Sequence, residues 1–253
     1  MGNPLILDNN FSGTLDSDLA SYPDGILIPI DKPYRWTSAD VVRKVKFTLQ
    51  RHFHLRNIKV GHAGTLDPLA TGILVVGVGK ATKLAETLQS HTKEYIAEIE
   101  LGATTPSYDL EKDVDTIYPF GHITAESIRE TLAGFIGEQD QVPPLFSAKM
   151  IDGVRAYEYA RAGEAKELKA SRITIEEAEL LNFEASSPTG RPRATIRIRC
   201  SKGTYIRSFA RDLGCALSSG GHLTALRRTL TGVFEIKNAI LLENFTSSDN
   251  FAR

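Results

Sequence analysis

The sequence predicts a mixed α+β fold built on one β-sheet. Several segments alternate apolar with polar residues, as half-buried strands do, and others repeat apolar residues every three or four positions, as amphipathic helices do. Long helices and loops separate the predicted strands, so several strands are too far apart in the chain to form simple hairpins. A chain of 253 residues is long enough to bury the core that such a fold needs.

The first half of the chain opens with residues 1–24, which are polar and rich in turn signals. They predict a mobile arm or an addition to a sheet edge. The patterns that follow then alternate between strand and helix. The predicted elements are a strand at 25–30, a helix capped by Thr37 or Ser38 and running to about Phe53, a strand at 73–78, a helix at 81–89 and a strand at 93–101.

The second half continues the same mixture of patterns around a region that disfavours regular structure. The pair Pro143-Pro144 removes backbone donors and restricts the residues before it, which predicts a long surface loop at about 139–163. The predicted elements are a helix at 124–136, a helix near 156–161 at the end of the loop, a strand at 194–200 and a helix at 205–217.

Composition places the chain among ordinary globular proteins, with 42% hydrophobic and 24% charged residues. No apolar run approaches the roughly 18 to 20 residues that span a bilayer, and four aspartates among the first 24 residues argue against a signal peptide. We therefore expect a cytoplasmic protein with no membrane partner. Cys200 and Cys215 are expected to be reduced thiols that pack inside the fold.

Positive charge is concentrated in two segments, although the formal net charge is only -1. Between Lys32 and Lys59 there are eight Lys or Arg residues against one acid, and between Arg191 and Arg228 there are nine against one. If the segments meet in space, they form a face suited to a phosphate backbone. The alternative is a set of solvated helix and strand faces, and charge alone leaves both open.

A glycine-rich run surrounds one carboxylate, Asp67. The run is Gly61-His62-Ala63-Gly64-Thr65-Leu66-Asp67-Pro68-Leu69-Ala70-Thr71-Gly72. Such a tight loop can present a nucleophile or a base. It can equally hold an aspartate that bonds to the backbone of its own turn, so the loop alone leaves both roles open.

This run closely resembles the motif G-H-x-G-x-L-D-P-x-A-x-G of the bacterial tRNA pseudouridine-55 synthases, the TruB family, with every fixed position present. Further matching segments follow in family order between about residues 25 and 235. They are Asp31-Lys32-Pro33 with Ser38, Lys93-Glu94-Tyr95 with Ala97, Pro143-Pro144 with Phe146-Ser147-Ala148, Arg155-Ala156-Tyr157-Glu158 with Ala160-Arg161, Ser201-Lys202-Gly203-Thr204-Tyr205-Ile206-Arg207-Ser208, and Leu226-Arg227-Arg228. The resemblance implies a mostly antiparallel sheet flanked by helices and long loops, with residues 25–235 as the catalytic domain.

The resemblance also implies an activity, the isomerisation of the T-loop uridine at position 55 of tRNA to pseudouridine after the base is flipped out. Asp67 is implied to be the nucleophile, Arg207 its partner, and Tyr95 the side chain that stacks on the base. Without the resemblance, Tyr95 is an inward aromatic of a strand and Arg207 is a cation at a helix start, where only a partner carboxylate would favour it. Addition to C6 of uracil, attack on the ribose and its deprotonation all remain open.

The remaining implied site residues line or support the pocket. Tyr205 and Leu226 would surround the base, and Leu226 alone would be ordinary core. His62 would fill the space that the flipped base vacates, and Lys32 would support the pocket or contact the RNA backbone. The candidates for phosphate contacts are Lys44, Arg51, Lys59, Arg227 and Arg228.

The implied reaction needs no cofactor and no metal, and the implied partner is the T-arm of tRNA, with no obligatory protein partner and a monomeric enzyme. The loop at about 139–163 matches a segment that closes over RNA, so we expect it to be mobile without RNA. Residues 236–253 form a short extension that is too short for the PUA-type domain of many members.

Two departures from the family pattern stand out. Arg35 occupies the position where the family usually has glycine, and the stretch Thr104–Asp109 only partly matches the usual T-x-T-x-D pattern. Other functions fit less well. The run 77–81 lacks the first glycine and the final Ser or Thr of a P-loop, and His52 and His54 lack the partners of a zinc site. A tRNA-binding or tRNA-folding protein with secondary catalysis is the remaining alternative.

Overall fold

The computed structural model describes residues 2–147, 149–151, 153–164, 166, 168–187 and 190–247. The chain divides into two compact units, the first comprising Met1–Lys93 with Arg227–Arg253 and the second comprising Glu94–Leu226. The structure confirms the predicted mixed α+β class and the mostly antiparallel strand pairing. The predicted catalytic domain, residues 25–235, is defined by function, so its two boundaries stay predictions.

The elements are numbered in chain order. The strands are β1 (Leu5–Ile6), β2 (Ile26–Lys32), β3 (Val60–Ala63), β4 (Thr71–Val78), β5 (Lys93–Leu101), β6 (Ala103–Thr104), β7 (Thr116–Ile117), β8 (Gly137–Gln141), β9 (Met150–Ile151), β10 (Val154–Arg155), β11 (Ser171–Glu184), β12 (Arg193–Cys200), β13 (Gly221–Thr231), β14 (Phe234–Glu235) and β15 (Ile240–Leu241). The helices are α1 (Ser38–His52), α2 (Ala85–Ser90), α3 (Ala125–Ala133), α4 (Ala156–Ala162), α5 (Ile206–Ala216) and α6 (Leu242–Ser247).

The first unit is built around the antiparallel pair β2 and β4, with β3 on the other side of β4. Helix α1 begins at the predicted cap, because the Thr37 side chain accepts from the backbone of Asp40 while the Asp40 side chain accepts from the backbone of Thr37. Its buried face, Val41, Val45 and Leu49, belongs to the same apolar cluster as β2 and β4. The predicted strand and helix are therefore confirmed here.

The N-terminal segment is an edge addition, the second of the two predicted alternatives. Strand β1 pairs in parallel with β2, and Leu7 and Leu15 are buried in the first unit. Residues 236–247 add β15, which also pairs in parallel with β2, and α6. The last residues of the predicted extension, 248–253, lie outside the described residues.

The second unit is a layer of strands in the order β13, β5, β12, β11, β8, of which the residues up to Leu226 of β13 belong to this unit. Strands β11 and β12 form its longest antiparallel pair. Helix α3 begins at Thr124, whose side chain accepts from the backbone of Ser127, and α5 buries Phe209 and Leu213. The predicted strand at 194–200 and helices at 124–136 and 205–217 are confirmed, although α3 ends three residues early, at Ala133.

Some predicted elements differ from the structure. The predicted helix at 81–89 is a 3-10 turn over Gly79–Leu84 followed by α2. The segment 139–163 contains the end of β8, the hairpin β9–β10 and α4, and Pro143 and Pro144 are buried, so it is not a simple surface loop. Cys200 is buried as predicted, but Cys215 is exposed and does not pack inside the fold. Within the described part of the chain, no helix has both the length and the apolar character needed to cross a membrane.

Candidate active site

The Asp67 loop joins β3 to β4 and is fixed through its own backbone. Leu66 is buried, its N–H donates to Ser38 Oγ at 3.0 Å, and the Ser38 hydroxyl donates to Leu66 O at 3.2 Å. The N–H of Ala70 donates to Asp67 O at 3.1 Å and closes the turn after the aspartate. The Asp67 side chain is half-buried, so its carboxylate is presented from a loop held on both sides.

Arg228 holds the start of the same loop through a hydrogen bond to the backbone. Its guanidinium donates from Nε to Ile73 O at 2.8 Å and from Nη2 to Gly64 O at 3.1 Å, and the residue is 2% exposed. The prediction that Arg228 contacts a phosphate is therefore wrong, because burial turns its donors toward backbone carbonyls. Gly72 permits this packing, since a Cβ there would lie 2.2 Å from Arg228 O and its φ is +104°.

Arg227, next to it, is engaged by side chains of the first unit. Its two terminal nitrogens contact both oxygens of Asp31, at 3.2 and 2.6 Å, and Nη1 also donates to Thr71 Oγ1 at 3.3 Å. This bidentate pair ties the end of β2 to the strand that carries Arg227. Its side chain is 42% exposed, so a phosphate contact stays a prediction.

Lys32 clamps the residue that follows Asp67. Its ammonium group is buried and donates to Pro33 O at 3.1 Å, Trp36 O at 2.6 Å and Pro68 O at 3.2 Å. Burial lowers the pKa of Lys32 to about 8, and the charge of Asp67 works in the opposite direction by favouring the protonated form. The structure therefore brings two predicted site residues, Lys32 and Asp67, into one electrostatic environment.

This pKa predicts how stability depends on pH. Between about pH 8 and 10.5 the unfolded chain keeps a proton on Lys32 that the folded chain has lost, so the free energy of unfolding gains a contribution that rises with pH. We expect the wild type to gain stability relative to Lys32→Met across this range and to show a constant difference below it. Urea unfolding of both proteins at a series of pH values measures this, and a pH-independent difference would contradict it.

Arg35 adopts a left-handed backbone conformation, with φ at +65°, at the position where the family usually has glycine. Its N–H donates to Pro68 O at 2.8 Å, so this turn also contacts the Asp67 loop. The departure from the family pattern therefore keeps the turn but strains it, because a side chain in this region costs roughly 1–2 kcal/mol.

We expect Arg35→Gly to raise the free energy of unfolding by about 1 kcal/mol, since glycine adopts positive φ without a steric cost. Lys44→Gly is the matched control, because Lys44 is exposed in the middle of α1 and glycine should destabilise a helix interior by about 1 kcal/mol. Chemical denaturation of the two variants gives opposite signs if the strain is real. Loss of stability in both would show that Arg35 is not strained.

His62 lies in β3 rather than in a turn, paired with Val76 of β4. Burial lowers the pKa of its imidazole, and the charge of Arg228 lowers it further, so both factors favour the uncharged ring. Its Nδ1 atom is buried and has no hydrogen-bond partner among the described residues. His62, Lys32 and Asp67 thus all belong to the first unit.

Arg207 lies in the first turn of α5 in the second unit and is 4% exposed. Its Nε is 3.7 Å from Asp109 Oδ2, and its Nη1 donates to Ser107 O at 3.3 Å. The sequence predicts a carboxylate partner for Arg207, and Asp67 is the predicted one. Asp109 is a second carboxylate beside Arg207 that was not predicted from the sequence. The signal was available, because Asp109 stands at the aspartate of the T-x-T-x-D pattern, with Ser107 in place of the second threonine.

The loop that carries Asp109 is as firmly fixed as the Asp67 loop. The hydroxyl groups of Thr105 and Ser107 donate to Asp109 O at 2.7 and 3.3 Å, and the Glu111 N–H donates to Asp109 Oδ1 at 3.0 Å. Asp109 is 5% exposed, so its second oxygen faces Arg207 in a poorly solvated setting. The second unit therefore holds a buried arginine in a defined orientation.

The other predicted residues of the second unit also have defined places. Tyr95 is buried on β5, and Leu226 is half-buried at the last position of this unit. Tyr205 precedes α5, where its N–H donates to Gln141 Oε1 at 2.8 Å and its carbonyl accepts from Gln141 Nε2 at 3.1 Å. The pairing of Asp67 with Arg207 joins residues of different units and stays a prediction.

Comparison with known proteins places these residues in a family. The sequence profile described as TruB family pseudouridylate synthase (N terminal domain) matches residues 50–206. A protein of Phocaeicola vulgatus named tRNA pseudouridine synthase B is 51% identical over 89% of this chain and 93% of its own length. Its namesake from Bacteroides thetaiotaomicron is 52% identical over the same shares, and that from Thermobifida fusca is 45% identical over 88% of this chain and 75% of its own length.

Solved structures agree with the sequence comparison. The chain is similar to a chain of the archaeal box H/ACA sRNP Nop10-Cbf5 complex, with a TM-score of 0.61 and 26% identity over 90% of this chain and 54% of that one. A chain of a Cbf5-Nop10-Gar1 complex gives a TM-score of 0.60 and 29% identity over 92% and 59%. This chain thus spans a little more than half of those chains, and the predicted pseudouridine-synthase-like fold is confirmed. The chain belongs to the TruB family of pseudouridylate synthases.

Proposed function

We propose that the protein isomerises the uridine at position 55 of the tRNA T-loop to pseudouridine, with Asp67 as the nucleophile. The observation that carries this proposal is the complete family motif at 61–72, folded into a loop whose backbone is fixed on both sides of Asp67. The names of the relatives, tRNA pseudouridine synthase B, support tRNA as the substrate.

The reaction breaks the bond between N1 of uracil and C1′ of the ribose and forms a bond from C5 to C1′, so no group is added and nothing is oxidised overall. An ionised Asp67 carboxylate suits each of its routes, which are addition to C6 of the ring and attack on or deprotonation of the ribose. The target nucleotide must leave its stack, which costs a few kcal/mol that contacts with the protein offset. The exposed cations of the two basic segments, such as Lys44 and Arg51, are suited to the backbone part of those contacts.

The roles proposed for the individual side chains are those that the family resemblance implies. Tyr95 stacks on the flipped base, with Tyr205 and Leu226 around it, and Arg207 pairs with Asp67. The half-buried His62 is suited to occupying the space that the base leaves, since its surroundings lower its pKa and so favour the uncharged ring. Of the two roles proposed for Lys32, its burial and its three carbonyl partners favour support of the Asp67 loop over a contact with RNA.

The enzyme is proposed to act as a cytoplasmic monomer on the T-arm, without a cofactor, a metal or an obligatory protein partner. The segment at 139–163 is proposed to close over bound RNA. The start of this segment contacts a predicted site residue, because the Gln141 side chain makes two hydrogen bonds to the backbone of Tyr205.

The decisive experiment incubates the purified protein with an unmodified tRNA transcript, with no added metal or nucleotide, and maps pseudouridine along the product. We expect one modified position, the T-loop uridine. Modification elsewhere would replace the proposed substrate position. Refolding of the T-arm without any pseudouridine would favour the tRNA-folding alternative instead.

A further inference from the structure

We propose that a cavity between the turn at 33–37 and α1 binds an unpaired nucleotide of the substrate RNA, distinct from the target uridine. The cavity has a volume of about 450 Å³ and lies wholly within the first unit, and pockets of roughly 300–1,000 Å³ hold small ligands. The identity of the RNA rests on the proposed function. The residues that line the cavity are Arg35, Trp36, Asp40, Arg43, Lys44 and Phe47.

The cavity is separate from the site described above. Of its lining residues only Lys44 is a predicted site residue, as a phosphate contact, and none is predicted to touch the target base; Asp67 itself belongs to the loop before β4. Helix α1 starts beside that loop, since Ser38 Oγ bonds to both backbone groups of Leu66. Phe47 lies nine residues further along the helix, which corresponds to about 14 Å at 1.5 Å per residue. A base held against Phe47 is therefore a different nucleotide from the one at Asp67.

Two aromatic side chains supply faces for stacking. Phe47 is 56% exposed in the middle of α1, and the guanidinium carbon of Arg51 lies 5.8 Å from its ring centroid. Trp36 is half-buried and also lines the cavity. Proteins bind unpaired bases by stacking them on exposed aromatic rings and on guanidinium planes, whereas a base inside a duplex offers no free face. The occupant is therefore unpaired.

The charges around the cavity favour a phosphate group. Arg35, Arg43 and Lys44 contribute three cations, and Asp40 is the one acid in the lining. The carboxylate of Asp40 is already engaged, because it accepts from the N–H and hydroxyl of Thr37 at 2.9 and 2.6 Å and also contacts Arg43. Aromatic faces beside an excess of positive charge match a nucleotide better than a protein surface of mixed charge.

Phe47→Ala tests the proposal. We expect the dissociation constant for an unmodified tRNA transcript to rise about tenfold, which is within the range of stacking on one base, while kcat at saturating RNA stays unchanged. Phe47→Trp should restore the affinity, because a larger aromatic face replaces the lost one. Leu55→Ala is the control, since Leu55 is an exposed apolar residue beyond the end of α1 and does not line the cavity.

A photoreactive phenylalanine analogue at position 47 identifies the occupant. We expect a cross-link to one unpaired nucleotide other than the target uridine. An affinity within twofold of wild type for Phe47→Ala, or a cross-link to the target uridine or to paired nucleotides, would overturn the proposal. If the wild type formed no pseudouridine but Phe47→Ala still weakened RNA binding tenfold, the proposed function would fail and the nucleotide site would stand.

Discussion

Asp67→Asn is expected to abolish pseudouridine formation, with a loss of at least about 10³-fold in the single-turnover rate, while tRNA binding stays within about threefold of wild type. The amide has nearly the same shape as the carboxylate but is no nucleophile at neutral pH. The contacts that fix the loop come from backbone groups of Leu66, Pro68 and Ala70, so the substitution leaves them in place.

Two measurements separate this outcome from a general defect. Filter binding gives the affinity for tRNA, and the thermal midpoint of unfolding shows whether the loop is intact. Asp113→Asn is a suitable control, because Asp113 is an exposed aspartate in the other unit. A catalytically active Asp67→Asn protein would reject Asp67 as the nucleophile, whatever its affinity for RNA.

Elements set by local sequence were predictable, and those set by distant partners were not. Helix α1 begins at Thr37 because the cap and the apolar repeat lie within the segment itself. Strand β2 runs two residues past its predicted end because Asp31 and Lys32 pair with Ile73 and Gly72, some forty residues away. His62 belongs to the run that predicts a tight loop, and only its pairing with Val76 of β4 makes it part of a strand.

The site shows the same division. The motif around Asp67 identified the aspartate, but the side chains that hold its loop come from elsewhere in the chain. The sequence predicts a phosphate contact for Arg228, because the burial of a side chain cannot be derived from its neighbours in sequence. In the structure Arg228 is buried and donates to the carbonyls of Gly64 and Ile73. Arg35 could be recognised as a departure from the family pattern, but its positive φ required the structure.

Asp109→Asn should have the second-largest effect, and it acts through Arg207. The two side chains are 5% and 8% exposed, and the substitution removes a carboxylate charge that lies 3.7 Å from a buried guanidinium, so the free energy of unfolding should fall by about 3 kcal/mol. Under the proposed function Arg207 aims the Asp67 carboxylate, and a displacement of about 1 Å can cost about 100-fold in rate. We therefore expect both lower stability and a kcat reduced about 100-fold.

The rate per folded molecule distinguishes positioning from simple destabilisation. Asp109→Asn assayed well below its unfolding midpoint, where circular dichroism shows it fully folded, should still lose about 100-fold in kcat while KM for tRNA changes less than threefold. Partial unfolding would instead lower kcat only in proportion to the folded fraction. Asp115→Asn is the matched control, since Asp115 is an exposed carboxylate of the same segment. It accepts a hydrogen bond from Thr104 Oγ1 at 2.7 Å, and among the described residues it forms no ion pair with Arg207. A wild-type kcat in Asp109→Asn would mean that Arg207 needs no partner carboxylate in its own unit, and the orientation of the nucleophile would then depend on contacts other than this pair.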